Sequence, residues 1–464
     1  MTISNNIISN STDFNNTKTS DNKIKGETFS IVSLGCPKNL VDSERCVKRM
    51  RDGGYEFRLE PDGSDVVVLN TCGFLQSARD EAREYIRGLI DLKNEGRIKR
   101  IIVRGCMTQF EGVGQLAVEF PDVDEWFGIP NSEPKNITLN TTAPPQQIAT
   151  SSETGRDILT SDHVAYLRIA DGCSRCCSFC TIPDIRGQFR SETMEDLLLE
   201  ACQLAERGVK EIVIVAQETT FWGMDLPVRY SLSELLRRIE LIDGIRWIRL
   251  MYAYPFFDDE LVMLFARSEK LLPYIDIPLQ HINDVILRRM NRSVTREETE
   301  RLLDNLRGKI DQLVLRTSLI VGFPGETDAI FDELVYFVDK WKFERAGVFA
   351  FSAEPKTQAA KLQDQVPRAV INRRFKLLTD VCNKHAIAWG KRQKNKIMQV
   401  QIDGNYVDDS GYIESELYVG RTYADAPDID PVVYVTNNSK LESGMLVNCE
   451  ILETDGNNLV GIVV

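Results

Sequence analysis

Histidine is almost absent from this chain, which has three in 464 residues: His163, His281 and His385. They are too scattered to supply a histidine-rich metal site, so any metal centre has to be built from sulfur. Long hydrophobic runs are missing as well. No stretch approaches the roughly 20 apolar residues that cross a bilayer, which predicts a chain without membrane spans. Basic charge is in deficit: 56 Lys and Arg against 69 Asp and Glu leave a net charge of -13. That balance argues against indiscriminate nucleic-acid binding while leaving room for a local basic patch. Eleven cysteines are too few for a disulfide-stapled secreted scaffold. The first 28 residues contain no Arg and no apolar core, and they carry Asp13, Asp21 and Glu27. They fit neither a signal peptide nor a transit peptide, and the expectation is a cytoplasmic protein with reduced thiols.

What is present is enough chain for about three domains, with 43% hydrophobic and 27% charged residues, near the globular average. Residues 1–28, rich in Asn, Ser, Thr and Lys, read as a disordered tail. Over 29–130 the apolar runs FSIVSLGC, DVVVLNTC and RIIVRGC alternate with helical patterns, the signature of a small parallel α/β domain. A Pro, Ser, Thr and Asn-rich stretch, 131–161, reads as a linker. Over 162–391 six candidate strands (VAYLRIA, EIVIVA, IRWIRLMYA, YIDIPL, LVLRTSLIVG and RAGVFAFS) alternate with amphipathic segments such as Met194–Glu206 and Asp328–Lys340. Six such units predict an open (β/α)6 barrel, ending in a long helix that carries Arg373, Arg374, Lys376, Lys384 and Lys391. Residues 392–464 read as short strands divided by Asp, Gly, Asn and Pro turns, a small β-barrel.

In DGCSRCCSFCTIP four cysteines, Cys173, Cys176, Cys177 and Cys180, fall within eight residues. A structural zinc site takes two ligand pairs a dozen or more residues apart, and no second pair follows at that distance. Iron-sulfur ligation is the better reading. If Cys173, Cys177 and Cys180 each bind one iron of a four-iron cluster, the fourth iron stays open for chemistry. Cys176 offers a competing Cys-x2-Cys-x3-Cys set with Cys173 and Cys180. The Cys-x3-Cys-x2-Cys spacing, just after the first barrel strand and with Phe179 before the last cysteine, resembles the radical S-adenosylmethionine superfamily. That resemblance favours Cys177 and leaves Cys176 a bystander. It implies that the open iron chelates S-adenosylmethionine and that electron transfer yields a 5'-deoxyadenosyl radical. Gln217 in VAQETT, Gln280 beside His281 in IDIPLQH, and Gly322 and Gly325 in LIVGFPGET resemble the loops of that cofactor's pocket. The last segment also fits a plain strand-to-helix turn with Thr327 as N-cap.

Cys36, Cys72 and Cys106 each sit at the carboxyl end of an expected strand in the first domain, where ligands of open α/β sheets gather. Equivalent placement favours convergence over the ordinary fate of isolated cysteines as small buried hydrophobes. Three thiolates again suit a four-iron cluster with one open iron.

The contexts LGCPKN, NTCGF and GCMTQ resemble the methylthiotransferases, which join an N-terminal cluster domain, a radical S-adenosylmethionine barrel and a C-terminal TRAM β-barrel. LGCPKNLVDSE, DGCSRCCSFCTIPDIRG and GRTYADAPDID resemble the ribosomal-protein aspartate enzymes of that family more than the tRNA-modifying ones. Cys176, and Pro431 in place of an expected Gly, depart from the pattern. The resemblance implies two [4Fe-4S] clusters and two S-adenosylmethionine molecules: one methylates a sulfur at the Cys36, Cys72, Cys106 cluster, and the other supplies the radical. It also implies an electron donor, a sulfur donor, and as substrate an aspartate of the twelfth small-subunit protein, free or in the assembled subunit. From Ile397 to Val464 twelve acids face only Arg421 and Lys440, a net charge of -10, which would attract a basic protein and repel a phosphate backbone. On that reading Asp425, Asp428 and Asp430 are expected at an exposed recruiting interface. Two alternatives remain open: a tRNA adenosine methylthiotransferase, supported by the basic helix before the last domain, and a zinc-containing RNA-binding protein without catalysis.

Overall fold

A computed structural model describes residues 26–129, 155–408, 411 and 413–464. The expected tail over 1–28 and the linker over 131–161 lie mostly outside the described residues. The linker's last part is tied down, because Arg156 is buried and pairs with Glu44 at 2.7 Å and Glu200 at 3.1 Å.

The N-terminal unit runs β1 (Thr28–Ser33), α1 (Pro37–Asp52), β2 (Glu56–Phe57), β3 (Val66–Thr71), α2 (Gln76–Asn94), β4 (Arg100–Gly105), α3 (Cys106–Glu111), α4 (Val113–Glu119) and β5 (Glu125–Phe127). The strands form one parallel sheet in the order β2-β1-β3-β4-β5. All six residues of β3 are buried, as a central parallel strand covered on both faces requires. Pro37 opens α1 in the first turn, where its missing N–H is not needed.

The second unit runs β6 (Val164–Arg168), β7 (Ala170–Asp171), α5 (Ile182–Arg186), β8 (Arg190–Ser191), α6 (Met194–Glu206), β9 (Glu211–Val215), α7 (Leu232–Glu240), β10 (Trp247–Leu250), α8 (Asp259–Arg267), β11 (Leu271–Asp276), α9 (Asp284–Arg289), α10 (Arg296–Lys309), β12 (Val314–Val321), α11 (Asp328–Trp341), β13 (Arg345–Ala350) and α12 (Arg368–Lys391). Six strands make an open parallel sheet, β13-β12-β11-β10-β9-β6, and these are the six read from the sequence. Alternation along each strand splits the residues between two faces. Leu167, Ile214, Ile248 and Leu315 pack against the helices outside. Tyr166, Val213, Trp247, Tyr274 and Val314 pack inward, against Val41 of α1 at one end and against the last unit at the other.

That last unit is a closed barrel, β14-β15-β16-β18-β17, made of β14 (Ile397–Val407), β15 (Ile413–Arg421), β16 (Val433–Thr436), β17 (Leu446–Asp455) and β18 (Asn458–Val463). The segment between β15 and β16 corrects the expectation of an exposed acidic interface. Asp425 is buried and pairs with Arg345 at 2.5 Å. Asp430 accepts a 2.6 Å bond from the Tyr274 hydroxyl and lies 3.4 Å from Arg316. Asp428 keeps its exposure but accepts from the Tyr166 hydroxyl at 3.0 Å. Asp425 and Asp430 are counter-charges for cations of the barrel strands and Asp428 an acceptor for a phenol, a placement that net charge alone does not reveal. Arg421 completes the joint, meeting Glu211 at 2.6 Å and Asp403 at 2.9 Å, while Arg249 meets Glu211 at 2.8 Å. The basic helix α12 is likewise engaged: Arg374 pairs with Glu326 and Asp328, and Lys384 with Asp339.

Burial raises the Glu211 carboxyl, but the Arg421 and Arg249 guanidiniums outweigh it and hold the group below its ordinary value. Asp403 is held low in the same way, by Arg421 and His163 against burial. This contribution to stability is present above the ordinary carboxylate pKa of about 4 and is lost as pH falls through the depressed folded values. Removing one partner of a buried pair strands the other charge, so Arg421→Met should cost about 3–5 kcal/mol. Chemical denaturation at neutral pH measures this, and a change within about 0.5 kcal/mol, the range of ordinary surface substitutions, would contradict the joint described here.

Candidate active site

Both cysteine triads lie at the carboxyl ends of strands, where side chains leave the sheet. Cys36 caps α1 after β1, Cys72 follows β3, and Cys106 begins α3 after β4. Their loops are pressed together. At Gly35, whose φ is +100°, a Cβ would stand 2.9 Å from the Cys72 Cβ and 3.2 Å from its sulfur, and one at Gly73 would stand 2.6 Å from the Cys106 carbonyl. Bare backbone at these positions lets the three loops meet.

Cys173, Cys177 and Cys180 lie on the loop from β7 to α5, with the Cys180 N–H donating to the Cys177 carbonyl at 3.1 Å. Cys173 and Cys180 each feel the Cys177 charge, whereas Cys176 is exposed and its carbonyl accepts from Asn291 at 2.7 Å. The arrangement thus groups the three cysteines of the Cys-x3-Cys-x2-Cys spacing and turns the fourth outward.

The two triads are neighbours. Thr181, next to Cys180, donates to the Phe74 carbonyl at 3.3 Å, two residues beyond Cys72. Ile185 of α5 packs with Cys106 and Phe110. Beside the first triad, at the end of α5, lies Arg186, which sequence reasoning missed although it stands in the IPDIRG stretch; a cation closely following a cysteine-rich apolar loop was the available signal. It approaches the Cys106 sulfur at 3.4 Å and Asn39 at 3.2 Å. It also forms an ion pair with Asp42 at 2.8 Å and bonds both Asp171 oxygens at 3.3 Å. Arg168 holds the other Asp42 oxygen at 2.5 Å. Burial pushes the Arg186 guanidinium down, but Asp42, the cysteine thiolates and Asp171 outweigh it and raise its pKa.

The thiols respond to this field. Burial raises Cys36, but Lys38, Arg186 and two backbone N–H groups outweigh it and bring the thiol below its ordinary value. Burial and the Cys36 charge push Cys72 up to about 11, and burial pushes Cys106 up to about 12. In the barrel loop burial lifts Cys173 to about 11 and Cys180 to about 12. Crowded buried thiols that resist joint ionisation suit a cationic centre that takes them as thiolates. Among the described residues no three Cys, His, Asp or Glu side chains are placed to hold a single metal ion. Three thiols on three adjoining loops, and three more on one loop, are the donor chemistry of four-iron clusters, whose thiolates bind separate irons.

Of the expected pocket residues, Gln217 donates to Asp171 at 3.1 Å, and its buried carbonyl oxygen has no partner. Gln280 adopts a left-handed φ of 71°, and its backbone is bonded to Ser318 and Ile320. Gly322 and Gly325 also have positive φ, but the space beside each is taken by protein. A Cβ would stand 2.4 Å from Ile371 at Gly322, and 2.5 Å from Arg289 at Gly325. Local packing therefore accounts for both glycines. His281 is a buried acceptor for the Ile282 and Asn283 N–H groups.

Residues 167–338 match the Radical SAM superfamily, residues 28–128 match Uncharacterized protein family UPF0004, and residues 396–464 match the TRAM domain. Fold and matches together define a radical S-adenosylmethionine enzyme, which uses S-adenosylmethionine and a [4Fe-4S] cluster. The chain is 38% identical over 439 residues to the ribosomal protein uS12 methylthiotransferase RimO of Lachnoclostridium phytofermentans, covering 93% of this chain and 98% of that one. It is 39% identical over 450 residues to the enzyme of the same name from Geotalea uraniireducens, covering 94% and 98%. The chain belongs to the RimO methylthiotransferase family. Among solved structures it is similar to the radical S-adenosylmethionine methyltransferase TsrM from Kitasatospora setae, with a TM-score of 0.49 and 16% identity over 72% of this chain and 74% of that one.

In iron-free, reduced protein Cys176 and Cys202, both exposed, should be the first thiols alkylated. Cys106 and Cys180, pushed to about 12, should be among the slowest. Time-resolved alkylation read by peptide mass spectrometry tests this, and a Cys176 as protected as Cys180 would contradict the loop geometry.

Proposed function

We propose that this chain methylthiolates the β-carbon of an aspartate in ribosomal protein uS12, working in the cytoplasm on the free protein or the small subunit. The observation that supports the reading is the adjacency of the two cysteine loops, with Thr181 beside Cys180 bonded to the Phe74 carbonyl and Arg186 of α5 at the Cys106 sulfur. Cys173, Cys177 and Cys180 hold one [4Fe-4S] cluster and Cys36, Cys72 and Cys106 hold a second, with Cys176 outside both sets. When bound, such clusters supply an electron for cleaving S-adenosylmethionine and a coordination position for sulfur. A radical route suits the substrate, because the β-hydrogen of an aspartate is too weakly acidic for side-chain bases to remove readily.

The protein's part is placement. The α1 and α5 ends hold the triads together through Asp42 and Arg186, and the last barrel closes the far end of the inner face. Gln217 and Gln280 line the S-adenosylmethionine pocket, with the unpartnered Gln217 oxygen available to a donor, and the Gly322–Gly325 turn, whose glycines pack against Ile371 and Arg289, contributes backbone alone. The domains divide as 29–130, 162–391 and 392–464. Electrons and sulfur come from separate donors. Acids still open to solvent on the last barrel, among them Glu416, Glu453 and Asp455, steer the basic substrate in place of the buried Asp425 and Asp430. A tRNA substrate is disfavoured by the engagement of the α12 cations Arg374 and Lys384 with the α11 carboxylates Asp328 and Asp339. A zinc protein is disfavoured by the absence, among the described residues, of a single-ion donor set.

Anaerobically reconstituted protein should hold about eight irons. Replacing Cys36, Cys72 and Cys106 together by Ala should remove about half of them and spare cleavage of S-adenosylmethionine. Cys177→Ala should lose the barrel cluster, and Cys176→Ala should keep it. Mass spectrometry of ribosomal proteins and tRNA from cells with and without the gene tests the substrate: a methylthio group missing from tRNA rather than from uS12 would overturn it.

A further inference from the structure

Lys38 lies in the first turn of α1, two residues beyond Cys36, and is only 7% exposed. Its ammonium stands 3.4 Å from the centre of the Tyr252 ring. The groups that act on its charge are the Tyr252 phenol, Cys36 and the Arg186 guanidinium, and among the described residues no carboxylate pairs with it. Lysine is rarely buried without an acidic partner. The other buried cations around the inner barrel face follow that rule: Arg168 has Asp42, Arg249 has Glu211, Arg316 has Asp276 and Arg345 has Asp425. Lys38 departs from it, as does Arg292, which stacks on Tyr254 and bonds the Pro278 carbonyl, but Lys38 stands beside the triad to which sulfur chemistry is assigned above.

Tyr252 adds an independent mark. It lies just past β10 with φ at 59°, a conformation that an aromatic L-residue adopts only when its surroundings impose it. The Asp276 carboxylate imposes it here, accepting from the Tyr252 N–H at 3.0 Å. Strain of this kind collects where a ligand is held. An ammonium on an aromatic face, with no carboxylate paired to it, is a receptor for one anionic oxygen pair.

We propose that Lys38, backed by Tyr252, forms a carboxylate subsite that receives the side chain of the substrate aspartate. The proposal rests on the methylthiolation reading, which brings a carboxylate bonded directly to the reacting carbon. Fixing the carboxylate fixes that carbon beside the Cys36 triad, and the enzyme thereby selects aspartate over its uncharged amide. Lys38 is a specificity-determining residue in this account.

The test uses anaerobically reconstituted holoenzyme and a peptide carrying the uS12 target loop with Asp or Asn at the modified position. Wild-type enzyme should bind the Asp peptide about tenfold or more tightly than the Asn peptide, the scale of one charge-assisted hydrogen bond. In Lys38→Met the ratio should fall toward one, and in Lys38→Arg it should persist. Lys38→Gln serves as the second neutral variant if the Met protein fails to take up iron. A neutral variant that keeps the full Asp preference overturns the subsite, as does one that keeps the preference while needing more S-adenosylmethionine, since the cofactor's carboxylate would then be the occupant. A wild-type enzyme that modifies neither the Asp peptide nor uS12 in the small subunit overturns the methylthiolation reading and the subsite with it. Modification by wild type with an unchanged ratio in the variants overturns the subsite alone.

Discussion

A guanidinium taken out of water has to be met on every side, and the ways of meeting Arg186 dictate how two domains sit together. Its partners come from both: Asn39, Asp42 and Cys106 from the first, Asp171 from the second. Asp42 is shared with Arg168 of β6, so α1 cannot shift along the barrel without stranding three buried charges. This lattice holds the Cys106 loop against α5, and α5 begins two residues after Cys180. The closeness of the two cysteine loops is therefore tied to one ionic cluster.

The same logic operates at the opposite end of the inner face. Strands of an open parallel sheet present alternate residues inward, and here many of those are charged or phenolic: Tyr166, Glu211, Arg249, Tyr274, Asp276 and Arg316. Such a surface is stable only when polar partners cover it. The segment from Arg421 to Asp430 supplies them, so the last barrel acts as a polar closure for the middle domain as well as a module with its own core. An acidic stretch that reads as a docking surface from its composition turns out to be largely consumed inside the molecule.

Several features were legible in the sequence because they depend on local pattern. The six barrel strands are runs of β-branched and apolar residues bounded by turns, and their spacing by amphipathic helices fixes the parallel order. The placement of the six cysteines was legible because they stand in equivalent places after strands or in one dense loop. Arg186, Lys38 and Asp42 were not, since a charged residue on a helix or loop reads the same whether it faces water or a partner 130 residues away. The orientation of Asp425 and Asp430 was hidden for the same reason: their partners Arg345 and Arg316 lie in strands that sequence pattern marks only as buried. Gly322 and Gly325 carry a motif-like spacing, yet local packing against Ile371 and Arg289 already requires bare backbone there.

The central claim is that the two triads hold clusters close enough to serve one substrate, with Arg186 of α5 tying the barrel to the first triad. Low-temperature electron paramagnetic resonance of the fully reduced holoenzyme tests it directly, because neighbouring paramagnetic clusters split and broaden each other's signals. The account predicts an interacting spectrum in the wild type that collapses to a single uncoupled signal when Cys72 is replaced by Ala. Two independent signals in the wild type, each unchanged when the other cluster is removed, would contradict it.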